Sequence, residues 1–591
     1  MSGWTGSRAV RTAAAALCAL AVTGLGCAGS GQGQGSGGRV ATGFPERATL
    51  DRLAAAPAPD VAEFTLGYRD AGEWDLSGPF PDVVDLSPRE GDLPWDGLVD
   101  RIVASRAGLV VASEGMECFA REAGSFLVEH DALPGLGLQR FFAGRCGVAT
   151  GTPQLFTLNW TTPVPYSLDQ AIAELDEQID GHLRERVVGG PLDVGLWMTT
   201  GADRVDLVVA TGKRLVRVDP VPTTPRDGRV VLRGEVLTTA RGIEALVTRG
   251  RLAWNECEAD GNVRLPRFAI TCQVDPDDRT AWVSLALYRH GSILGRTALE
   301  VLVRPRGDPV RGYRRHAYTG PRPVDGPEAM SSAFLEVLNA VRGEADAPPL
   351  VYEVEQSATA TEVAPHYFQA LMDPAAERAA EVVALGMMAG WEVDALVQEG
   401  RFTSMWLIES GDVASMLSDA LEFPSVRRAL LAPETARLAV GPLSIEEEGV
   451  RAIAAIAATY RLFSESDHRK HAAYVHDRLA VARVERKRLI PREIDRVRPL
   501  ALDAARRVQA GLDPKQALGD WIEETVQVLG RSVTGWYAEV QDLDEIVFPD
   551  SFLDPRRLEV SISVALRRPP DEPWGRYVVM MVGSEPEARR L

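Results

Sequence analysis

The residues best suited to chemistry are three histidines that lie close together in the sequence, His468, His471 and His476. On a helix, residues 468 and 471 share a face, and two imidazoles on one face can bind a zinc ion. Three basic residues interleave with the histidines and would repel a cation: Arg469, Lys470 and Arg478. We therefore interpret this segment as the solvated start of a helix.

The length and charge of the chain limit the classes of function. A chain of 591 residues is too long for a single hydrophobic core, so three or four domains are expected. The formal net charge of -19 is spread along the sequence. This negative balance argues against nucleic-acid binding, which needs a basic face, and against electrostatic docking to anionic lipid. We expect no nucleic-acid partner and no cofactor.

The N-terminus has the composition of a secretory signal, which we place at residues 1–26. Arg8 and Arg11 supply positive charge, and the apolar run at 13–25 is too short to span a bilayer comfortably. No other apolar run in the sequence is long enough for a transmembrane helix. The Gly- and Ser-rich residues 27–45 predict a flexible tether.

Cys27 is the candidate for lipidation. The pair Gly26-Cys27 resembles the lipobox of bacterial lipoproteins, in which the cysteine becomes the acylated N-terminus after cleavage. Gly24 departs from that pattern, because Leu or Val is usual there. Ordinary signal cleavage nearby, with Cys27 incidental, is the alternative.

The remaining cysteines suggest a disulfide framework. The chain has six cysteines, and two of them, Cys18 and Cys27, lie near the N-terminus. The even remainder in an exported protein favours two disulfides, and four buried free thiols are the alternative. Each expected pair lies within one predicted domain: Cys118–Cys146 and Cys257–Cys272.

Hydrophobic periodicity divides the rest of the chain into four folded segments and a linker. The first segment is mixed α/β, and a strong amphipathic helix pattern covers residues 167–185. A period of two predicts short strands and a β-sandwich in the second segment. The linker is rich in Pro, Gly and Arg. The boundaries are 46–218 for the N-terminal α/β domain, 219–306 for the β-sandwich, 307–326 for the linker, and 327–464 and 465–591 for two further α/β domains.

A weak internal repeat links three of these segments. Pro191, Pro433 and Pro555 each precede two apolar strands that are separated by a turn. Because two strands cannot bury themselves alone, each pair is expected at the centre of a sheet covered by helices. Unrelated α/β units that happen to end in a hairpin are the alternative.

The segment from about Pro327 to Phe463 resembles the CAP superfamily, the cysteine-rich secretory and plant pathogenesis-related group. Its first block, FLEVLNAVRGEADAPPLVYE, has a helix with Asn339 and Arg342 and then a Pro-Pro-Leu turn. The blocks DVASMLSDALEFPSVRRALLAPETARLAVG and IAAIAATYRLF follow in the order that the family has. The resemblance implies an α-β-α sandwich here, and more degenerate CAP-like copies in the N-terminal and C-terminal segments.

This sequence departs from the family at the metal-binding positions. Family members with the ancestral cavity place histidines where Val363 and Val426 stand, with carboxylates between them in sequence. Valine has no lone pair, so the resemblance implies a cleft without a metal. His366 is one helical turn from the first position, and we interpret it as a packed histidine. The degenerate cleft positions are Val363, Trp406, Val426 and Arg427.

Together these features predict an exported, membrane-anchored bacterial lipoprotein. Its fold class is α+β multidomain, with CAP-like α-β-α units and one small all-β sandwich. We expect a binding or scaffolding protein of the cell envelope without catalysis, anchored by lipid at the outer membrane or in the periplasm, or exposed at the surface. The resemblance implies a lipid or protein ligand. The alternative is an envelope hydrolase or peptidase with a site that the motifs do not identify.

Overall fold

The computed structural model describes residues 25–26, 45–59, 61, 68–76, 83–84, 110–148, 150, 153–161, 192–200, 204–288, 295–320, 325–372, 377–408, 412–447, 450–569, 572 and 574–585. Most of the predicted signal, Cys27, nearly all of the tether and the helix predicted at 167–185 lie outside these residues. The chain forms two compact units. The first unit comprises Met1–Gly33, Arg52–Met387 and Arg401–Thr459, and the second comprises Gln34–Asp51, Met388–Gly400 and Tyr460–Leu591.

The N-terminal module, residues 110–213, is built on a four-stranded sheet with the order β5-β8-β9-β7. Ser113 caps the helix that follows the first of these strands, because its side chain accepts a hydrogen bond from the backbone N–H of Met116. The elements up to this point are β1 Leu25–Gly26, α1 Arg47–Ala54, β2 Tyr68–Arg69, β3 Glu73–Asp75, β4 Val83–Val84, β5 Val110–Ala112, α2 Glu114–His130, β6 Leu133–Pro134, α3 Leu136–Cys146, β7 Gln154–Thr161, β8 Leu192–Thr200 and β9 Arg204–Lys213.

The next segment is a β-sandwich, as the period of two predicts. Its sheets have the orders β10-β12-β16-β15 and β14-β13-β17-β18. Alternate residues of both sheets share one core, which includes Leu232, Ile270 and Leu285. The elements are β10 Val216–Val218, β11 Val221–Pro222, β12 Arg229–Val236, β13 Gly242–Arg249, β14 Ala253–Glu256, β15 Glu258–Ala259, β16 Arg267–Gln273, β17 Ala281–Tyr288 and β18 Gly295–Val303.

The segment predicted as a linker, 307–326, contains an ordered strand, β19, at Gly312–Arg314. It pairs antiparallel with β3, where Tyr313 lies opposite Trp74. Tyr313 is buried, and the side chain of Arg315 is only 11% exposed. Strand pairing gives this backbone its hydrogen-bond partners, so the expectation of a simple linker is wrong for this part of the segment.

The central module, residues 327–462, has helices on both faces of its sheet. The sheet order is β20-β22-β23-β21, with β1 beside β21. The elements are α4 Pro327–Glu344, β20 Val351–Tyr352, α5 Val354–Met372, α6 Glu377–Ala389, β21 Val397–Ile408, α7 Val413–Ala420, α8 Pro424–Leu431, β22 Arg437–Glu447 and β23 Val450–Leu462.

The C-terminal module, residues 465–584, has a four-stranded sheet with the order β24-β26-β27-β25. A capping box at Ser464 and Asp467 starts its first helix. The elements are α9 Glu465–Glu485, β24 Arg492–Glu493, α10 Arg498–Gln509, α11 Pro514–Leu529, β25 Thr534–Val540, α12 Asp550–Leu553, β26 Glu559–Arg567 and β27 Arg576–Ser584.

One strand order therefore recurs in the three α/β modules. In each module, a short strand lies parallel to the first strand of the central pair. The residue that directly follows the short strand donates a backbone hydrogen bond to this first strand. The three bonds are Ser113 N–H to Val194 O at 3.1 Å, Glu353 N–H to Leu438 O at 2.7 Å and Ile494 N–H to Val560 O at 3.0 Å. The chain is thus an α+β multidomain protein with a recurring sheet topology.

Candidate functional site

The four degenerate cleft positions do not lie together, because they are divided between the two faces of the central sheet. Side chains alternate along a strand, and Leu438 and Val440 of β22 share a core with Val426. Gly441 faces the other way, since a Cβ atom on it would lie 2.3 Å from the carbonyl oxygen of Ala360 in α5. Helix α5 therefore covers the opposite face from α8.

Val363 and Trp406 belong to the face covered by α5. Val363 is one helical turn from Ala360 and is fully buried. Trp406 packs edge-on against Phe368 of the same helix, with ring centroids 6.2 Å apart. Because Val426 and Arg427 are on α8, the picture of one cleft lined by all four residues is wrong for this fold. The prediction of a metal-free cleft assumed that Val363 and Val426 occupy the ligand positions of one pocket. The two valines do not flank one pocket, so this argument no longer supports the prediction.

Arg427 uses its guanidinium to hold backbone of the β-sandwich. It is 4% exposed, and its Nη1 donates to the carbonyl oxygens of Gly250 and Ala253, each at 3.0 Å. Its Nε donates to Leu421 O at 2.6 Å. All three bonds end on neutral carbonyls, so Arg427 acts as a structural donor between α8 and the β13–β14 turn.

Arg428 forms a buried ion pair with the same sheet. Its Nη2 donates to Glu244 Oε2 at 2.9 Å, and its Nη1 donates to Oε1 at 2.5 Å. Burial disfavours the charged form of Glu244, but the bonds and charge of Arg428 outweigh burial and lower the pKa of that carboxyl. The hydroxyl of Tyr288 also donates to Glu244. The double-arginine turn therefore fixes the sandwich to the central module.

Replacing Glu244 with alanine is expected to lower the free energy of unfolding of the first unit by about 2 kcal/mol, because Arg428 would stay buried without its acceptor. Urea unfolding followed by tryptophan fluorescence measures the loss. Glu258→Ala is the matched control, since Glu258 is exposed on the same sandwich. A loss in Glu244→Ala no larger than that of the control would contradict a clamping role.

A second buried charge cluster joins three segments that are distant in sequence. Arg315 donates to Asp419 through Nε at 2.6 Å and Nη2 at 2.8 Å, and to Asp70 through Nη1 at 2.8 Å. The hydroxyl of Tyr313 donates to Asp419 at 2.7 Å. Burial raises the pKa of Asp419 to about 6, against the opposing effect of Arg315. Both oxygens of Asp419 already accept hydrogen bonds, so the cluster is arranged to hold the segments together.

One of the three clustered histidines, His468, is buried and a second, His471, is half-buried, contrary to the expected solvated helix start. His468 is 6% exposed, and neither of its ring nitrogens has a hydrogen-bond partner in the part of the chain that the structure describes. His471 lies with its ring centroid 5.1 Å from that of Tyr577. Burial lowers the pKa of both imidazoles, that of His471 to about 4. They are thus neutral at neutral pH.

Acidification from pH 6.5 to pH 4 is expected to remove about 2 kcal/mol of stability from the second unit through His471. The folded-state pKa lies below the ordinary value of 6.5, so the unfolded chain takes up the proton first and the contribution present above pH 6.5 is lost on acidification. Urea unfolding at a series of pH values should show this slope, and His471→Gln should flatten it.

His476→Gln is the control for that slope, because His476 is on the same helix and contacts the carbonyl oxygen of Pro491 at 3.3 Å. The slope in His471→Gln is compared with the slope in this variant, which carries the same change of residue type on the same helix. Equal slopes in His471→Gln and the parent chain would show that other groups account for the acid sensitivity.

The two predicted disulfides are confirmed. Cys118–Cys146 joins α2 to the end of α3, with a Cα–Cα distance of 5.5 Å. Cys257–Cys272 lies within the β-sandwich, with a Cα–Cα distance of 4.4 Å. Each therefore crosslinks one module, and neither presents a reactive thiol.

Within the described ranges, no group of three or more His, Cys, Asp or Glu side chains is placed to hold a metal ion. His366 has a buried Nε2 without a hydrogen-bond partner among those residues. No helix in the described part of the chain combines the length and the hydropathy that crossing a membrane requires. The absence of a metal remains a prediction.

Sequence reasoning missed three residues of the ion pairs described above. Arg315, Asp419 and Glu244 lie in a linker-like segment, a helix and a strand, and nothing in the sequence pairs them. Arginine and aspartate are normally exposed, so composition predicts the wrong environment for them. The adjacent arginines at 427 and 428 are the visible signal, since no other charged residue occurs in PSVRRALL, the sequence of α8.

Comparisons with known proteins give structural similarities of low score. No protein-family model matches the sequence, and no curated protein matches it. An extracellular protein containing an SCP domain from Bacillus anthracis str. Ames matches with a TM-score of 0.15 and 10% identity, over 42% of this chain and 86% of that one. A cysteine-rich secretory protein from Staphylococcus aureus subsp. aureus Mu50 matches with a TM-score of 0.16 and 12% identity, over 42% of this chain and 88% of that one.

Proposed function

We propose that this protein is a non-enzymatic binding or scaffolding protein of the bacterial cell envelope, built around a CAP-like central module and anchored by lipid at Cys27. In this proposal the N-terminal and C-terminal modules are degenerate copies of the same unit. The shared strand order supports the repeat. The ligand class that the CAP resemblance suggests is a lipid or a protein.

The observation that carries this proposal is the use of the α8 turn. Where the CAP pattern would place a histidine, Val426 is packed into the core and is 2% exposed. The next two residues, Arg427 and Arg428, bond to the β-sandwich instead of facing solvent. A turn whose side chains are used for packing and docking suits a scaffold, because it offers no group that could activate water or bind a substrate.

Metal analysis and a hydrolysis panel test the non-enzymatic role. The purified chain is expected to carry no stoichiometric zinc and to hydrolyse neither ester nor peptide substrates at a measurable rate. Stoichiometric zinc, or turnover, that is lost in His366→Ala would overturn the proposal. Lys470→Ala is a control for nonspecific loss, because Lys470 is an exposed residue.

The anchor is tested separately by metabolic labelling with a fatty-acid analogue. Incorporation is expected in the parent chain and is expected to be lost in Cys27→Ala. Labelling that persists in Cys27→Ala would exclude this cysteine as the anchor while leaving the scaffolding role to be judged on the first experiment.

A further inference from the structure

The C-terminal module exposes an unusual amount of apolar side chain at one end of helix α9. Val481 and Val484 on the helix are 61% and 55% exposed, and Leu489 and Ile490 in the loop after it are 55% and 62% exposed. Leu489 and Ile490 are adjacent in the chain, so two exposed aliphatic side chains follow one another in this loop. Burying such side chains against an apolar phase would be favourable.

Basic side chains occur in the same loop and in the segment before β26. Five of them are exposed and make no ion pair with any carboxylate in the described part of the chain: Lys487, Arg488, Arg492, Arg556 and Arg557. Among the nearby carboxylates, Asp550 and Asp554 are both engaged by Arg486, Glu493 is engaged by Arg498, and Glu485 is exposed at the end of α9. This local excess of positive charge is opposite in sign to the chain as a whole, whose formal net charge is -19.

One buried arginine, Arg483, bonds to both of the segments that carry these residues. The guanidinium of Arg483 donates to Leu489 O at 3.0 Å, to Pro555 O at 2.8 Å and to Phe552 O. The loop after α9 and the segment before β26 therefore meet at the same side chain. The backbone N–H of Arg492 donates to Leu558 O at 2.9 Å, which places Arg492 at the start of β26, where its partner in the strand register is Glu559. Glu559 is itself paired with Arg531.

The geometry of the loop after α9 does not require basic and aliphatic side chains. In the central module, Arg342 makes the matching bond to the carbonyl oxygen six residues later, at Pro348. Asp346 there and Lys487 here both have a left-handed backbone, with φ of 55° and 57°. The central loop reads Asp-Ala-Pro-Pro where the C-terminal loop reads Lys-Arg-Leu-Ile. The same loop geometry thus forms without the basic and apolar side chains.

We propose that this surface, which we call the cationic–apolar patch, binds an anionic lipid membrane directly. Its residues are Val481, Val484, Lys487, Arg488, Leu489, Ile490, Arg492, Arg556 and Arg557. Aliphatic side chains enter the boundary between headgroups and acyl chains, while the lysine and arginines bind the headgroup phosphates. The two kinds of side chain occur together here, and that combination fits a membrane surface better than it fits a soluble polyanion, which needs charge alone.

Vesicle co-sedimentation tests the proposal. The full chain carrying Cys27→Ala, so that no acyl chain forms, is mixed with vesicles of phosphatidylcholine or with vesicles containing phosphatidylglycerol. The parent is expected to bind the anionic vesicles at least tenfold more tightly than the neutral ones at low salt, with the difference reduced at high salt. The N-terminal segment is common to all variants, so differences between them report on the patch.

Two patch variants separate the contributions of charge and apolar contact. Lys487→Asp with Arg488→Ala, which copies the central loop, is expected to weaken anionic binding at least tenfold. Leu489→Ser with Ile490→Ser is expected to weaken it at least fivefold. The matched controls are Arg264→Asp with Arg267→Ala, both exposed on the β-sandwich, and Val351→Ser with Val354→Ser, which are 60% and 68% exposed.

The outcomes decide the proposal in either direction. Equal binding to both kinds of vesicle, or patch variants that bind as their controls do, would overturn it. Binding to soluble polyphosphate that is unaffected by Leu489→Ser with Ile490→Ser would assign the patch to a soluble polyanion instead. Loss of vesicle binding in both patch variants, with binding retained in both control variants, would support the proposal. This holds whatever the labelling experiment on Cys27 shows.

Discussion

Replacing Arg315 with methionine is expected to lower the free energy of unfolding of the first unit by about 3–5 kcal/mol. The side chains of Asp70 and Asp419 are 15% and 9% exposed, and Arg315 is the cation that bonds to both of them. Methionine keeps the apolar stem but removes every donor, so two carboxylates would remain near each other with little solvent. Urea unfolding at pH 7.5, followed by tryptophan fluorescence, measures the loss.

Arg314→Met is the internal control for this prediction. Arg314 is the preceding residue and pairs with Asp75, but the two side chains are 54% and 81% exposed. A pair in that environment contributes less than about 1 kcal/mol. If Arg314→Met and Arg315→Met lost the same stability, burial of the cluster would not be the cause.

The pH dependence gives a second check on the same cluster. The pKa of Asp419 is raised to about 6 by burial, so the folded state takes up a proton before the unfolded chain does. Removing Arg315 removes the main opposing effect, and the pKa of Asp419 should rise further. Arg315→Met should therefore recover part of its lost stability between pH 7.5 and pH 5, and Asp419→Asn in that variant should remove the recovery.

Much of the architecture could be predicted from the sequence, because it depends on local pattern. Alternation in segments such as RVVLRGEVL predicts strands whose even and odd residues face different sides, and Leu232 does lie in the sandwich core. The even number of cysteines outside the N-terminal region led to both disulfide pairs. The first inference concerns residues that are close in the chain, and the second concerns residues of one type, cysteine.

The arrangement of the site could not be predicted, because it depends on which face of a sheet a helix covers. Val363 and Val426 are aligned with cleft positions by the CAP resemblance, but α5 and α8 cover opposite faces of β22. One residue of strand offset changes the face of every side chain, so a resemblance of sequence blocks does not fix it. The patch on the C-terminal module was not predicted for a different reason. The net charge of the whole chain is negative and gives no indication of a local cluster of basic residues.

The two buried arginines that organise the loops after α4 and α9 provide the other large expected effect. Arg342 and Arg483 are both 0% exposed, and each donates to several backbone carbonyls rather than to a carboxylate. For Arg342 the acceptors include Leu430 O at 2.6 Å and Ala432 O at 3.1 Å. Burial lowers the pKa of Arg342 to about 10, so the guanidinium remains charged at neutral pH. A buried cation held by carbonyl dipoles fixes the ends of several segments at once.

Arg342→Leu is expected to cost at least about 3 kcal/mol in the first unit, because several buried carbonyl groups would lose their donor together. Arg483→Leu is expected to cost a similar amount in the second unit, since its acceptors occupy matching positions. Calorimetry of the single variants should show one transition lowered in each case, and a different one for each variant. Arg378→Leu, an exposed arginine on α6, is the control. If Arg483→Leu lowered the same transition as Arg342→Leu, the two modules would unfold together, and the repeated loop would be stabilising one cooperative body instead of two separate units.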